Sequence, residues 1–330
     1  MCFFFSANTS SADRLAFAPE GKLHRVHRPE LPDDIARNAS WQSIQELSVR
    51  PVSKDRRDEM QARIARIHNV VGTKSADEIA AISNESRQGR LSHTRTLRDF
   101  DVERTDFNNA INSSYTHVQP NKLSISDLNN MNRRLLASSP NSHFAGYIRD
   151  GRSPFDENLS VMLFENIHGY FLDADHVDQA LYNFLSWCNQ EVLAGNEPIR
   201  TAAALRTQLM SIHPFLGGGN TRVSDIVMNL VLHWGGLPEV AINFDALEYE
   251  GNFKIYSYVD GERSSMIDYE DSARSEILVP DSGFLADPYL KTVLGDAYDR
   301  DKVEKDRDAD ATWRIEVIVN SLERSLGIEG

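Results

Sequence analysis

One short run holds a histidine, three consecutive glycines, an amide and an arginine: Ile212-His213-Pro214-Phe215-Leu216-Gly217-Gly218-Gly219-Asn220-Thr221-Arg222. Each residue type brings a separate capability. A histidine titrates near neutral pH and can take a proton from an attacking hydroxyl. Glycines let a backbone turn tightly and approach a ligand closely. Free N–H groups at the start of a following helix, reinforced by the helix dipole, make an anion site. Asn220 can add an amide donor, and the Arg222 fork can pair with a phosphate. Thr221 stands between them. These parts together suggest transfer of a phosphate-containing group to an alcohol, with His213 as the base and Gly217, Gly218, Gly219, Asn220, Thr221 and Arg222 around the phosphates; the alternative is a plain helix, glycine loop and helix with a packed histidine.

Such a loop needs rigid elements on both sides. Upstream, Pro198 suits a helix start, and Ala202, Leu205 and Leu209 carry that helix to about residue 211. Downstream, Val223, Ile226, Val227, Leu230, Val231 and Trp234 predict a buried helix that stops at Gly235-Gly236. Before both, residues 175–193 read as a helix, with Val177, Ala180, Leu181, Phe184, Leu185, Cys188 and Val192 on one face. Ser124 and Ser126 are candidate N-caps for a helix through Leu128, Met131 and Leu135. Helices are also expected over 54–70, 75–86, 105–114 and 311–326. Phe144-Ala145-Gly146-Tyr147-Ile148-Arg149-Asp150-Gly151 alternates aromatic and β-branched residues with glycine, and predicts a hairpin or extended flap. Residues 1–53, broken by Pro19, Pro29, Pro32 and Pro51, predict loops with at most short helices. Arg87, Arg90, Arg95 and Arg98 read as a solvated basic loop. The expected fold is mainly α with a small β element.

Composition narrows the setting. Hydrophobic residues are 41% of the 330 and charged ones 25%, ordinary for a globular chain. The net charge of −14 argues against a broad nucleic-acid surface. Two cysteines, Cys2 and Cys188, make neither a disulfide framework nor a metal-ligand spacing, so a reducing, cytoplasmic compartment is expected. No run is apolar enough to span a membrane. The opening MCFFFS lacks the basic start of a secretory signal, and the Ser/Thr/Asn-rich stretch after it reads as a mobile tail. His168, His176 and His233 read as structural residues.

The segment from His213 resembles the signature of the Fic (Fido) superfamily, usually HPFx(D/E)GNGRxxR. His213-Pro214-Phe215 matches its start, and Gly218/Gly219-Asn220-Thr221-Arg222 is similar to its GNGR end. Phe144 to Arg149 is similar to the family's flap, and Asn229 to Pro238 to its usual continuation. The resemblance implies a Fic-like helical bundle over 119–250, with an N-terminal extension at 1–118 and a C-terminal helical extension at 251–330. It implies a transferase with His213 as general base. The group moved would be a nucleotide monophosphate, AMP foremost, or a related phosphate-containing group, and the acceptor a Ser, Thr or Tyr hydroxyl of a protein. Gly146, Tyr147 and Ile148 would position that target. ATP would be the donor, and a bacterial effector exported to act on a host protein is one setting the resemblance implies.

Three departures accompany the match. The loop between His213 and Arg222 is one residue longer than the pattern. Leu216 and Gly217 stand where an Asp or Glu usually holds Mg²⁺, with Asp225 a speculative substitute that otherwise decorates its helix's first turn. Asp225 also replaces the second arginine. The tail from Ser325 to Gly330 matches the family's inhibitory (S/T)xxxE(G/N) pattern through Glu329, a short pattern easily met by chance. Two classes of function therefore stand: an active nucleotidyltransferase, or a degenerate Fic fold that binds partners without catalysis.

Overall fold

The computed structural model describes residues 54–93, 100–150, 160–164, 167–170, 174–242, 257–259, 262–264, 276–278 and 315–328. Among the described residues, seven α-helices occur in order before residue 243: α1 (Lys54–Gly72), α2 (Ala76–His93), α3 (Phe100–His117), α4 (Ile125–Leu135), α5 (Ala174–Leu193), α6 (Pro198–Ile212) and α7 (Asn220–Trp234). An eighth, α8, covers 315–326. The described chain is thus mainly α-helical, as expected.

The apolar stripes account for the packing. Val177, Ala180, Leu181, Phe184, Leu185 and Cys188 of α5 are buried together with Ile199, Ala202, Leu205 and Leu209 of α6. Nearly every residue of α7 from Val223 to Leu232 is buried, which makes it the central helix. Burial of this kind contributes roughly 25 cal/mol per Å² of apolar surface removed from water. Removing Leu230 or Ile226 would leave a cavity at the centre and cost about 2–5 kcal/mol. Burial also pushes the Cys188 thiol up to about 12, with a smaller contribution from Glu191. This thiol is an inert core group.

Helix ends follow local chemistry. Ser124, not Ser126, caps α4, and it forms a capping box with Asp127. Pro198 occupies the first turn of α6. Gly235 ends α7, its N–H bonding Val231 O at 3.0 Å.

The termini of the described chain meet on one side. Arg63 of α1 pairs with Glu323 of α8 and donates to Asn320 Oδ1 at 2.5 Å. The hydrogen bonds that Arg63 donates to Glu323 hold its guanidinium above its usual range. Arg87 was expected in a solvated loop. It lies instead on α2, ion-paired to buried Glu239, donating to Asn112 Oδ1 at 3.1 Å and standing 5.4 Å over the Tyr115 ring. Burial lowers its pKa and Glu239 more than offsets this, so the net shift is upward. These polar partners carry α2 to His93, well past the residue 86 at which apolar periodicity fades. Arg95 and Arg98 lie outside the described residues, as do residues 1–53, Gly151 and Glu329.

The β elements differ from expectation. The segment 144–150 is not a hairpin. It begins in a 3₁₀ turn (Ser142–Phe144), passes through Gly146 at φ +74°, and makes one isolated antiparallel bridge, Ile148 to Phe215. A positive φ and a helical turn break the extended run that a strand needs. The hairpin forms farther along: β1 (Ser160–Phe164) pairs antiparallel with β2 (Ile167–Tyr170), Ser160 opposite Tyr170. β3 (Ser257–Val259) and β4 (Glu262–Ser264) form a separate antiparallel pair, and β5 (Glu276–Leu278) adds parallel to β2.

Candidate active site

α6 ends at His213. Pro214 disfavours helical backbone at the residue before it, and His213 turns into the left-handed region at φ 48° while its N–H still bonds Leu209 O at 3.0 Å. The last carbonyls of a helix carry partial negative charge and lack intrahelical donors. Arg149 supplies the donors. It is 1% exposed, and its guanidinium gives Nε to His213 O at 2.8 Å and Nη2 to Ile212 O at 2.7 Å. The backbone follows the same path, with Arg149 N–H bonding Pro214 O at 2.9 Å and Leu216 N–H bonding Tyr147 O at 3.4 Å. Tyr147 and Ile148 are therefore bound against the loop, and Gly146 gives its N–H to Asn132 Oδ1 at 2.8 Å. His213 is 5% exposed at the end of this clamped helix.

Three asparagines fasten the glycine loop from inside. Asn220 gives Nδ2 to Phe215 O at 2.9 Å and accepts Phe215 N–H at 2.8 Å. Asn141 gives Nδ2 to Gly217 O at 3.2 Å, and Asn132 gives Nδ2 to Gly218 O at 2.8 Å. In a trans peptide the carbonyl and the next N–H point in opposite directions. With the Gly217 and Gly218 carbonyls drawn inward, the N–H groups of Gly218 and Gly219 face away from those asparagines. Gly218 (φ 90°) and Gly219 (φ 79°) are both left-handed, which glycine alone adopts without strain. Gly217 is needed for space, since a Cβ there would lie 2.9 Å from Phe144 Cβ.

The loop delivers the chain into α7 with Gly219 as N-cap and no side-chain cap. The first intrahelical bond is Val223 N–H to Gly219 O at 2.9 Å, so the N–H groups of Asn220, Thr221 and Arg222 have no acceptor within the helix. Outward N–H groups of the glycine loop and the open helix end form one concave donor set, suited to an anion. Thr221 Oγ1 and Arg222 Nη1, at the same helix end, are buried and have no hydrogen-bond partner among the described residues.

The remaining predicted residues are placed as follows. Arg222 is drawn toward α3, with Nη1 at 3.7 Å from Glu103 Oε2. Burial lowers its pKa, and Glu103 and Asp106 partly offset that. Asn220 spends its amide on the loop itself, so its observed contacts position the loop. Asp225 neither decorates an open first turn nor stands free for a metal: its Oδ1 takes Arg206 Nε at 2.7 Å. The run from His213 to Arg222 holds no Asp or Glu, and Asp225 is engaged in this ion pair, so no carboxylate of the loop stands ready to hold Mg²⁺. Asn132, Asn141, Arg206 and Glu103 were missed by sequence reasoning. Only Asn132 left a signal, as a polar residue on the apolar face of α4 beside Leu128, Met131 and Leu135.

The family model described as Fic/DOC family matches residues 122–232, which contain the loop and the helices around it. Among solved structures, the chain is similar to Fic-1 (residues 134–508) from C. elegans at 16% identity, covering 88% of this chain and 82% of that one, TM-score 0.45. It is also similar to a Fic domain-containing signaling protein from Bacteroides thetaiotaomicron at 15% identity, covering 88% and 95%, TM-score 0.46. IbpAFic2 covalently tethered to Cdc42 matches at 19% identity, covering 66% and 78%, TM-score 0.41. No described helix is long and apolar enough to cross a membrane.

Proposed function

We propose, from the premise that residues 122–232 of this chain belong to the Fic/DOC family, that the protein transfers a nucleotide monophosphate, AMP foremost, to a Ser, Thr or Tyr hydroxyl of a protein. The observation that carries this reading is the donor set: carbonyls of Phe215, Gly217 and Gly218 tied inward by asparagines, with N–H groups turned out beside His213. That set suits the α- and β-phosphates of ATP. His213 accepts the proton of the acceptor hydroxyl. The oxygen attacks the α-phosphorus and forms a new P–O bond. The bond from the α-phosphorus to the bridging oxygen breaks, and pyrophosphate leaves with that electron pair. N–H groups aimed at the phosphoryl oxygens offset the charge that builds on them. Arg149 and the asparagines keep the base and the nest in one fixed geometry, on which transfer rates depend strongly. No step is assigned to Mg²⁺.

The test is intact-protein mass spectrometry after incubation with ATP, UTP, GTP, CTP or CDP-choline, wild type beside His213→Ala. A self-adduct formed by wild type and missing from His213→Ala supports the transferase, and its mass identifies the group. A second reading, a Fic fold that binds without catalysis, draws on one observation: Arg222 already has a carboxylate partner, its Nη1 lying 3.7 Å from Glu103 Oε2. Under that reading nucleotides raise the melting temperature by mass action and no adduct forms with any donor or acceptor.

A further inference from the structure

We infer that Asn132 is a positioning residue that sets the orientation of the Gly218–Gly219 peptide and so aims the Gly219 N–H at the donor phosphate. The inference rests on the anion-site reading above and adds a residue outside the signature run.

Asn132 lies on α4, 0% exposed, and uses both ends of its amide. Its Oδ1 accepts the Gly146 N–H at 2.8 Å, and its Nδ2 gives to Gly218 O at 2.8 Å. The first bond orients the amide, because Oδ1 must face the N–H; Nδ2 then faces the carbonyl. One side chain thus joins the segment after α4 to the glycine loop. The peptide it holds is flanked by two glycines with no Cβ to resist rotation of that plane. A Cβ at Gly218 would meet nothing within 4 Å, whereas one at Gly219 would lie 3.0 Å from Asn132 Nδ2, so this peptide packs directly on the Asn132 amide. The orientation depends on the hydrogen bond. With Gly218 O drawn toward α4, the Gly219 N–H points the opposite way. If the peptide rotated by half a turn, the site would present a carbonyl oxygen to an anion in place of a donor.

The substitution that isolates this role is Asn132→Asp. The carboxylate still accepts from Gly146 N–H, but it has no donor for Gly218 O and repels it. When protonated, the new acid regains an O–H donor. Burial raises a carboxylate's pKa, which brings that recovery within reach of mild acid. ATP affinity is read by calorimetry for wild type and variant between about pH 8 and about pH 5.5, and the peptide's orientation from a crystal structure of the variant at each end. The expected result is a variant-to-wild-type Kd ratio of about 10 at the alkaline end, the size of one lost hydrogen bond to a charged group. The ratio shrinks toward the acid end, with Gly218 O turned away from α4 only at high pH. Asn132→Ala, which lacks both groups, loses affinity with no recovery in acid.

An unrotated peptide in Asn132→Asp, or a Kd ratio near one, overturns the inference, whatever happens to melting temperature. If wild type binds neither ATP nor pyrophosphate, the proposed function fails, while the peptide orientation in the crystal still decides the role of Asn132. If Asn132→Asp does not fold, the crystal structure of Asn132→Ala decides alone: an unrotated peptide there also overturns it.

Discussion

Helices α6 and α7 are each 15 residues long and follow one another in the chain, yet their N-termini are finished in opposite ways. At α6, Pro198 fills a first-turn position where a missing N–H costs nothing. The Glu197 carboxylate accepts Ile199 N–H at 3.1 Å and meets His68 at 3.2 Å. That end is closed by its own anion. At α7 the N-cap is Gly219, with no side chain to give, and the loop carbonyls before it are tied away. The difference teaches where a ligand belongs. A helix start that supplies its own carboxylate is closed to a ligand, whereas one that stays uncapped behind glycines and asparagines leaves its N–H groups open, as the proposed phosphate site requires.

The largest effect is expected where the open end is undone from within. In Asn220→Ala, Phe215 loses the partners of both its N–H and its carbonyl in a buried loop. Two unmet buried groups cost about 2–4 kcal/mol, to be read from urea unfolding, and nucleotide binding should disappear. Retained binding would mean that the loop shape does not depend on this amide. Next in size is Gly219→Asp, which gives α7 the finish that α6 already has. A carboxylate at the helix start occupies the donor set and repels phosphate. ATP affinity should fall about tenfold or more, and the melting temperature should also drop, because Gly219 sits at φ 79° and a Cβ there would lie 3.0 Å from Asn132 Nδ2. Unchanged affinity, measured by calorimetry, would place the anion elsewhere.

The two ends were not equally legible. The α6 start could be read from Pro198, and the α5, α6 and α7 faces from their apolar spacing, because local chemistry and burial write those patterns directly. The glycine loop could be read as a candidate anion site, because glycines before an apolar helix leave backbone N–H groups open. What stayed hidden was whatever the loop borrows from distant segments. Arg149 was read as part of a flap, yet it is a buried clamp on the α6 carbonyls. Asp225 looked like first-turn decoration until Arg206 met it. Arg87 looked solvated because its partner Glu239 lies far along the chain. Periodicity reports which face is buried, and it is silent on which polar groups meet there. Asn132 is the instructive middle case: its place on an apolar face was visible, but its two partners were not.

A smaller effect concerns the arginine beside the open end. Arg222 shares its charge with Glu103 and Asp106, and removing one of these anions leaves more of that charge for a ligand. Glu103→Gln should tighten ATP binding by about fivefold or more, on the order of 1 kcal/mol, with some loss of stability. No change in Kd would mean that Arg222 does not face the phosphates even when released, and the anion site would then rest on backbone donors alone.

The smallest effect is the control on the closed end. Glu197→Ala removes the cap of α6 and its contact with His68, and loss of such a cap costs about 1 kcal/mol. Urea midpoints should register that loss. ATP affinity should not change, because His213 is held at the other end of α6 by Arg149, and the Asn132, Asn141 and Asn220 contacts hold the loop independently. If affinity instead falls as it does in Gly219→Asp, the two N-termini are coupled along the helix pair. The site would then depend on how α6 sits as a whole, and the division between a structural end and a ligand end would fail.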